Sequence, residues 1–235
     1  MEPDLDQIME RASRALMRTD YFTCEALCVE ALAQARRWRA WPYYARILLP
    51  LQEARRQRRL VAVAGTLRLG TASLEGSPAS WLEQFQSGAI VLTHPHGVED
   101  ARALLAQARR QRRYVEVLLA DSDVQDERWT LIAFGGPQVR REVPAPPRAW
   151  RDRWLTPGER PDPGPDAKNL QAGASPADWF IDATELLGDE AIAQVTAPLG
   201  TIQRIEQLER MLEVTNHEKL HQRLGEAARA MPAAA

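Results

Sequence analysis

The 235-residue chain is 45% hydrophobic, carries 30 basic and 32 acidic side chains for a formal net charge of −2, and contains two cysteines. That balance excludes the strong basic field of a dedicated nucleic-acid binder and the disulfide framework of a small secreted domain. No apolar run approaches the ~20 residues needed to span a bilayer, and the acidic start MEPDLDQIMERAS is unlike a signal peptide, so a cytoplasmic protein with no membrane contact is expected.

Residues 1–58 read as a helical region. Ile8, Ala12, Ala15 and Leu16 recur at helical spacing, and Ala26, Leu27, Val29, Leu32 and Ala33 do so after a break at Thr19-Asp20. Asp20 is a natural cap for the second helix. Trp41-Pro42 opens a third, with proline where its missing N–H costs nothing, and Pro50 predicts a kink or short break within it. Cys24 and Cys28 stand one helical turn apart, a poor geometry for a disulfide.

The period changes over residues 59–147. LVAVAGT (60–66), AIVLTHP (89–95), YVEVLLA (114–120) and RWTLIAF (128–134) are short Val-, Ile- and Leu-rich runs bounded by turn formers, and they predict strands. VEDARALLAQARRQRR (98–113) predicts a helix between two of them, and SPASWLEQFQS (77–87) a short helix capped by Ser77. Strand–helix–strand succession predicts a mostly parallel sheet. QVRREVPAP (138–146) adds an edge strand that hairpins back through Gly135-Gly136-Pro137.

Residues 148–177 are dense in Pro, Gly and Asp and read as a linker or arm, with Trp150 and Trp154 as anchors. Residues 178–235 return to helix. Ser175 or Asp178 caps the first segment, Pro198-Leu199-Gly200 stops it, and Ile205, Leu208, Met211, Leu212, Leu220 and Leu224 line the last. The expected fold is mixed α/β: a small, mostly parallel sheet of four to five strands flanked by helical hairpins.

Two internal echoes stand out. LQEARRQRRLVAV (51–63) and LAQARRQRRYVEV (105–117) each end a helix in Arg-Arg-Gln-Arg-Arg before a predicted strand. Arginines there face the negative end of the helix dipole. The runs at 55–59 and 109–113 leave a phosphate or nucleic-acid patch open, but no aromatics interleave to stack bases, and nucleic acid is not favoured. The second echo sets RALMRTDYFTCEALCVEALAQAR (14–36) beside RMLEVTNHEKLHQRLGEAARAMP (210–232). Arg14 then matches Arg210, Leu16 matches Leu212, Thr19-Asp20 matches Thr215-Asn216 and Glu30-Ala31 matches Glu226-Ala227.

Both stretches resemble the tetratricopeptide repeat (TPR). Ala12 and Ala15 fall on packing positions of a first helix, Asp20-Tyr21 on its turn, and Cys24, Cys28 and Ala31 on the packing stripe of a second. Leu208, Met211, Asn216-His217, Leu220, Leu224 and Ala227 take those places in the second copy, with Pro232 at the repeat's end. About one repeat at each end of the chain is covered, and the family's large aromatic and glycine of the first helix are absent from both. The resemblance implies stacked helical hairpins and a protein partner.

His217-Glu218-Lys219-Leu220-His221 matches HExxH, in which two histidines hold zinc and the glutamate serves as base. No third ligand follows at a familiar offset: Leu224 and Ala227 stand where one pattern places glycine and histidine. Lys219, Gln222 and Arg223 point to a solvated face of a structural helix, so a zinc peptidase is the third reading. A more open possibility lies where a parallel sheet gathers ligands, at the carboxyl ends of its strands. Thr93, His94 and His96 follow one predicted strand; Asp121, Asp123 and Asp126 follow the next. His94, His96, Asp121 and Asp123 are the candidates for acid–base work. His94, His96 and Asp121, beside His217 and His221, are the candidates for a divalent metal. The same residues are also ordinary turn formers. Gly65 follows a predicted strand, yet neither a GxGxxG nor a Walker lysine accompanies it, and no nucleophile elbow is present. No cofactor is expected. The leading expectation is a non-catalytic interaction or scaffold module, and the alternative is a metal- or small-ligand-dependent enzyme using the His/Asp cluster.

Overall fold

The computed structural model describes residues 5–136, 138–164 and 173–232. The chain forms two compact units, one from residues 1–58 and 191–235, the other from 59–190.

The first unit is helical. α1 (Leu5–Met17) packs on α2 (Tyr21–Arg37), and α7 (Ile202–Val214) packs on α8 (Glu218–Arg229). Small side chains on the inner stripes, Ala12, Ala15, Cys24, Cys28, Ala31 and Ala35, are buried and let α1 and α2 approach closely. The Asp20 carboxylate accepts from Thr23 N at 3.1 Å, capping α2 as expected. The first eighteen residues of α3 (Trp41–Val63) complete this unit. Tyr44 Oη donates to Glu209 Oε1 at 2.6 Å, and Arg36 pairs with Glu206 at 3.1 Å and with Glu209. These contacts tie α2 and α3 to α7. Burial raises the Tyr44 phenol well above its ordinary value of 10.0, so it stays a neutral donor. Pro50 does not break α3, which is helical on both sides of it.

The second unit is built on six strands in the order β5-β4-β3-β2-β1-β6: β1 (Thr66–Leu69), β2 (Gly88–Leu92), β3 (Val115–Ala120), β4 (Arg128–Ile132), β5 (Arg140–Pro144) and β6 (Trp154–Leu155). This corrects the expected four to five strands. It also corrects the expected mostly parallel pairing: β1 with β2 and β2 with β3 are parallel, whereas β3 with β4, β4 with β5 and β1 with β6 are antiparallel. Parallel neighbours need a crossover of a dozen residues or more, and the segment between β3 and β4 is too short for one. The β4–β5 hairpin forms as expected, with Ile132 opposite Arg140, while Pro137 of its turn lies outside the described residues.

The run at 60–66 is mostly not a strand. Leu60–Val63 finish α3, Ala64 N donates to Leu60 O at 3.0 Å, and β1 starts only at Thr66. Extending an existing helix by one turn avoids a new nucleation cost. Gly65 is required at the exit, because a Cβ there would lie 2.2 Å from the Ser87 carbonyl oxygen.

Alternation assigns the two faces of the sheet. Ile90, Leu92, Val115, Val117 and Leu119 form one core with Trp81, Leu82 and Phe85 from the segment begun by α4 (Pro78–Trp81), and with Ala101, Leu104 and Ala108 of α5 (Val98–Arg110). Ser77 caps α4 as expected. Trp129 and Leu131 point to the other face, where Trp129 meets Trp179 of α6 (Pro176–Ala193) edge-on at 5.6 Å. Ser175 and Asp178 cap α6 reciprocally: Ser175 N donates to Asp178 Oδ2 at 2.8 Å, and Asp178 N donates to Ser175 Oγ at 3.3 Å. In the Pro/Gly-rich stretch, Trp150 is fully buried, with its indole N–H on the Pro161 carbonyl at 2.9 Å. Trp154 enters the sheet as β6, with the Arg68 guanidinium 5.1 Å over its ring. Residues 165–172 of that stretch lie outside the described residues.

Candidate functional site

The carboxyl ends of β1, β2 and β3 are bound together before any reactive side chain is added. Thr71 N donates to Thr93 Oγ1 and Thr93 N to Thr71 Oγ1, both at 3.0 Å, a buried clasp between the exits of β1 and β2. His94 N donates to Ser122 O at 3.0 Å and joins the exits of β2 and β3.

This frame brings three of the four acid–base candidates together. His94 Nε2 lies 3.2 Å from Asp121 Oδ1, and its Nδ1 lies 3.6 Å from Asp123 Oδ1. Arg140, across from β4 on the edge strand, donates to Asp121 Oδ2 at 3.0 Å. The His94 hydrogen bond, and then Arg140, hold the Asp121 carboxyl below its ordinary 3.8. The cluster is open to solvent, with the His94 side chain 49% exposed. Asp126 turns instead into its own loop, accepting from Asp123 N at 3.0 Å.

His96 does not join them. Its ring meets Trp81 edge-on at 4.8 Å, and Nε2 donates to the Leu74 carbonyl at 3.2 Å. The chain turns there, with His96 N donating to the Thr93 carbonyl at 2.9 Å, and the two imidazoles have separate partners. What remains is a surface imidazole between two carboxylates. Arg140 already places a positive charge on the shared carboxylate, which opposes a second cation there. Among the described residues, no group of three or more His, Cys, Asp and Glu side chains is placed to hold a metal ion. Arg140 escaped sequence reasoning because only the β4–β5 register brings it near Asp121.

The HExxH segment departs from its expected solvated face. His217 precedes α8 as its cap residue with extended ψ, and both His217 and His221 are buried. His217, His221, Leu224 and Ala228 share one stripe of spacing 4, 3 and 4, which turns inward, while Gln222 and Arg223 lie on the exposed side. His221 Nδ1 donates to the His217 carbonyl at 3.0 Å, so the ring is the Nδ1–H tautomer. Its Nε2 lone pair accepts from Arg55 Nη1 at 3.2 Å. A zinc ion would have to take that lone pair from a guanidinium. Glu218, the would-be base, accepts from Gln52 Nε2 at 2.8 Å. Behind Arg55, Glu25 receives Arg55 Nε at 2.9 Å and also Arg58, whose guanidinium stacks 4.4 Å from the Phe22 ring.

The two arginine runs also part ways. The first lies inside α3, not at a helix end as expected, and its guanidiniums reach carboxylates: Arg55 and Arg58 on Glu25, Arg56 on Glu53, Arg59 on Glu185. The second does end a helix. Arg109 and Arg110 occupy the last turn of α5, and Arg113 donates to the carbonyls of Leu82 and Phe85.

No protein-family model, curated protein or solved structure matches this chain. No helix among the described residues is long and apolar enough to cross a membrane.

Proposed function

We propose that the chain is a non-catalytic binding module whose helical unit receives a protein partner. The observation that carries this reading is the pair of matched hairpins. α1 ends at Met17 and α2 begins at Tyr21; α7 ends at Val214 and α8 begins at Glu218; both pairs belong to one compact unit. Stacked hairpins of TPR type offer helix faces to extended or helical peptides. Met17, Val29 and Leu49 are large apolar side chains at 77%, 47% and 66% exposure on these helices. The test is panning of displayed random peptides on the purified chain, followed by titration of the enriched consensus peptide. Enrichment of one consensus, with affinity lost about tenfold or more in Leu49→Asp or Val29→Asp, supports the reading. No enrichment, or a consensus that none of these substitutions affects, rejects it.

A second reading is supported by the His94 contacts at 3.2 and 3.6 Å to Asp121 and Asp123. An imidazole between two carboxylates suits proton transfer on a small ligand at the strand ends. A screen of hydrolytic and isomerising substrates, with and without divalent cations, tests it. Turnover or cation affinity that disappears in His94→Ala supports it, and a wild-type chain with neither ends it.

A further inference from the structure

The turn between α2 and α3 carries an excess of positive charge. Between Glu30 and Glu53 the sequence has four arginines and no acidic residue. Arg36 is already engaged by Glu206 and Glu209 of α7. Arg37, Arg39 and Arg46 are exposed, and among the described residues none of the three has an ion-pair partner. Two of them are nonetheless oriented. The Arg37 guanidinium lies 5.7 Å from the centre of the Trp38 ring, and that of Arg46 lies 5.3 Å from the centre of the Tyr43 ring. A ring orients a guanidinium without cancelling its charge. Asp6 stands at the end of Tyr43 and accepts from its hydroxyl at 3.2 Å, which leaves the local balance positive. The carboxyl end of α2 and the amino end of α3 meet at this turn, and their opposite half-charges offset.

What lies beside this charge narrows the partner. Pro42, Arg46 and Leu49 follow one another at spacings of four and three, all exposed, and so share the outer face of α3. Leu49 is 66% exposed. A basic turn therefore runs into an apolar strip on one helix face. Guanidinium pairs with carboxylate through parallel hydrogen bonds, and an exposed leucine suits an apolar side chain of the same bound segment. Nucleic acid is the poorer match. Trp38 and Tyr43 each have a guanidinium of this chain on one face, and Trp41 and Tyr44 are buried, so the aromatics of this segment make a poor platform for bases. We infer that the α2–α3 turn and the start of α3 receive an acidic amphipathic peptide, its carboxylates on Arg37, Arg39 and Arg46 and its apolar side chains on Leu49. This inference names the partner chemistry of the binding module proposed above and rests on that reading.

The test is fluorescence anisotropy of the intact chain at low salt with labelled probes: a short peptide alternating glutamate pairs with leucine, the same peptide with glutamine in place of glutamate, and a short single-stranded oligonucleotide. The expected result is saturable binding of the acidic peptide, binding of its glutamine counterpart weaker by about tenfold or more, and an affinity for the acidic peptide that falls as salt rises. Arg39→Gly removes a charge where the backbone φ of 54° suits glycine, and Arg46→Gln is an exposed change on a helix, so both variants keep the fold. Exposed ion pairs contribute modestly one at a time, so the two substitutions together are expected to weaken the acidic peptide about tenfold and to leave the glutamine peptide unchanged. Leu49→Asp weakens both peptides. Equal binding of the two peptides, both lost in Leu49→Asp, overturns the inference and leaves the binding-module reading standing. No binding of the acidic peptide, or unchanged affinity in the double variant, also overturns it, whereas the module reading itself fails on panning that enriches no peptide of any charge. Far tighter binding of the oligonucleotide with a steep salt dependence overturns the inference too, and would mark a nucleic-acid surface.

Discussion

The sequence Arg-Arg-Gln-Arg-Arg occurs twice, and its two copies do different work. At 55–59 it lies within α3, with Arg58 and Arg59 buried and each guanidinium on a carboxylate. At 109–113 it closes α5, with Arg109, Arg110 and Arg112 exposed and Arg113 on backbone carbonyls. The residues that differ explain this. Leu60-Val61-Ala62-Val63 prolong the first helix, so its arginines stay on a packed surface. In the second copy Arg112 adopts a left-handed φ of 52°, and the chain leaves the helix for β3. A charge run takes its meaning from what its helix does next.

Substitutions at both copies put that contrast at risk. The largest effect is expected from Glu25→Gln, which strands Arg55 and Arg58 against a neutral amide. Breaking one side of a buried ion pair costs about 3–5 kcal/mol; the Glu25 side chain is 16% exposed, so chemical denaturation of the chain should read a loss at the lower end of that range. A loss below about 1 kcal/mol would mean that the cluster is solvated and the two copies are alike. Arg113→Ala comes next. It removes a charged donor from two carbonyls, for about 1.5–3 kcal/mol, and Arg113→Lys should recover only part of it. Arg109→Ala, on the exposed side, should stay within about 0.5 kcal/mol.

The smallest effect belongs to pH. Arg56, and then Gln57, hold the Glu53 carboxyl below its ordinary 4.5. The pair's stabilisation is therefore full above pH 4.5 and lost as pH falls through the lower folded value. Both side chains are well exposed, so only a few tenths of a kcal/mol are expected. Arg56→Gln should raise the Glu53 midpoint in a carboxyl NMR titration, and an unmoved midpoint would count against the pairing.

Much of this architecture was legible in the residues, because local chemistry decided it. Asp20, Ser77 and Ser175 cap helices where short polar side chains precede helical periodicity, and β2, β3 and β4 appear as bounded β-branched runs. The link from β3 to β4, residues 121–127, also held the information that corrects the topology, since seven residues cannot carry a parallel crossover. β6 was not legible: two residues, Trp154 and Leu155, carry no period, and only pairing with Leu67 and Arg68 makes them a strand. At the candidate site, adjacency of strand ends brought His94, Asp121 and Asp123 together as the pattern suggested. The direction of His96 depended on the loop's path, and Arg140 on a hairpin register. The burial of His217 and His221 followed from their stripe, which neighbouring Lys219, Gln222 and Arg223 obscured.

The short β6 has a consequence for how the molecule behaves in a crowd. Without it, β1 would present a bare row of amide and carbonyl groups, an invitation for another chain to add on. Two residues from a proline-rich stretch occupy part of that row, opposite Leu67 and Arg68. At the opposite border the exposed charges of Arg140, Arg141 and Glu142 discourage the same event. The cover at β1 runs beyond β6 as well, since Arg151 bridges Leu69 and Asp152 N donates to the Leu69 carbonyl at 2.8 Å, so a five-residue stretch, 151–155, lies along that border.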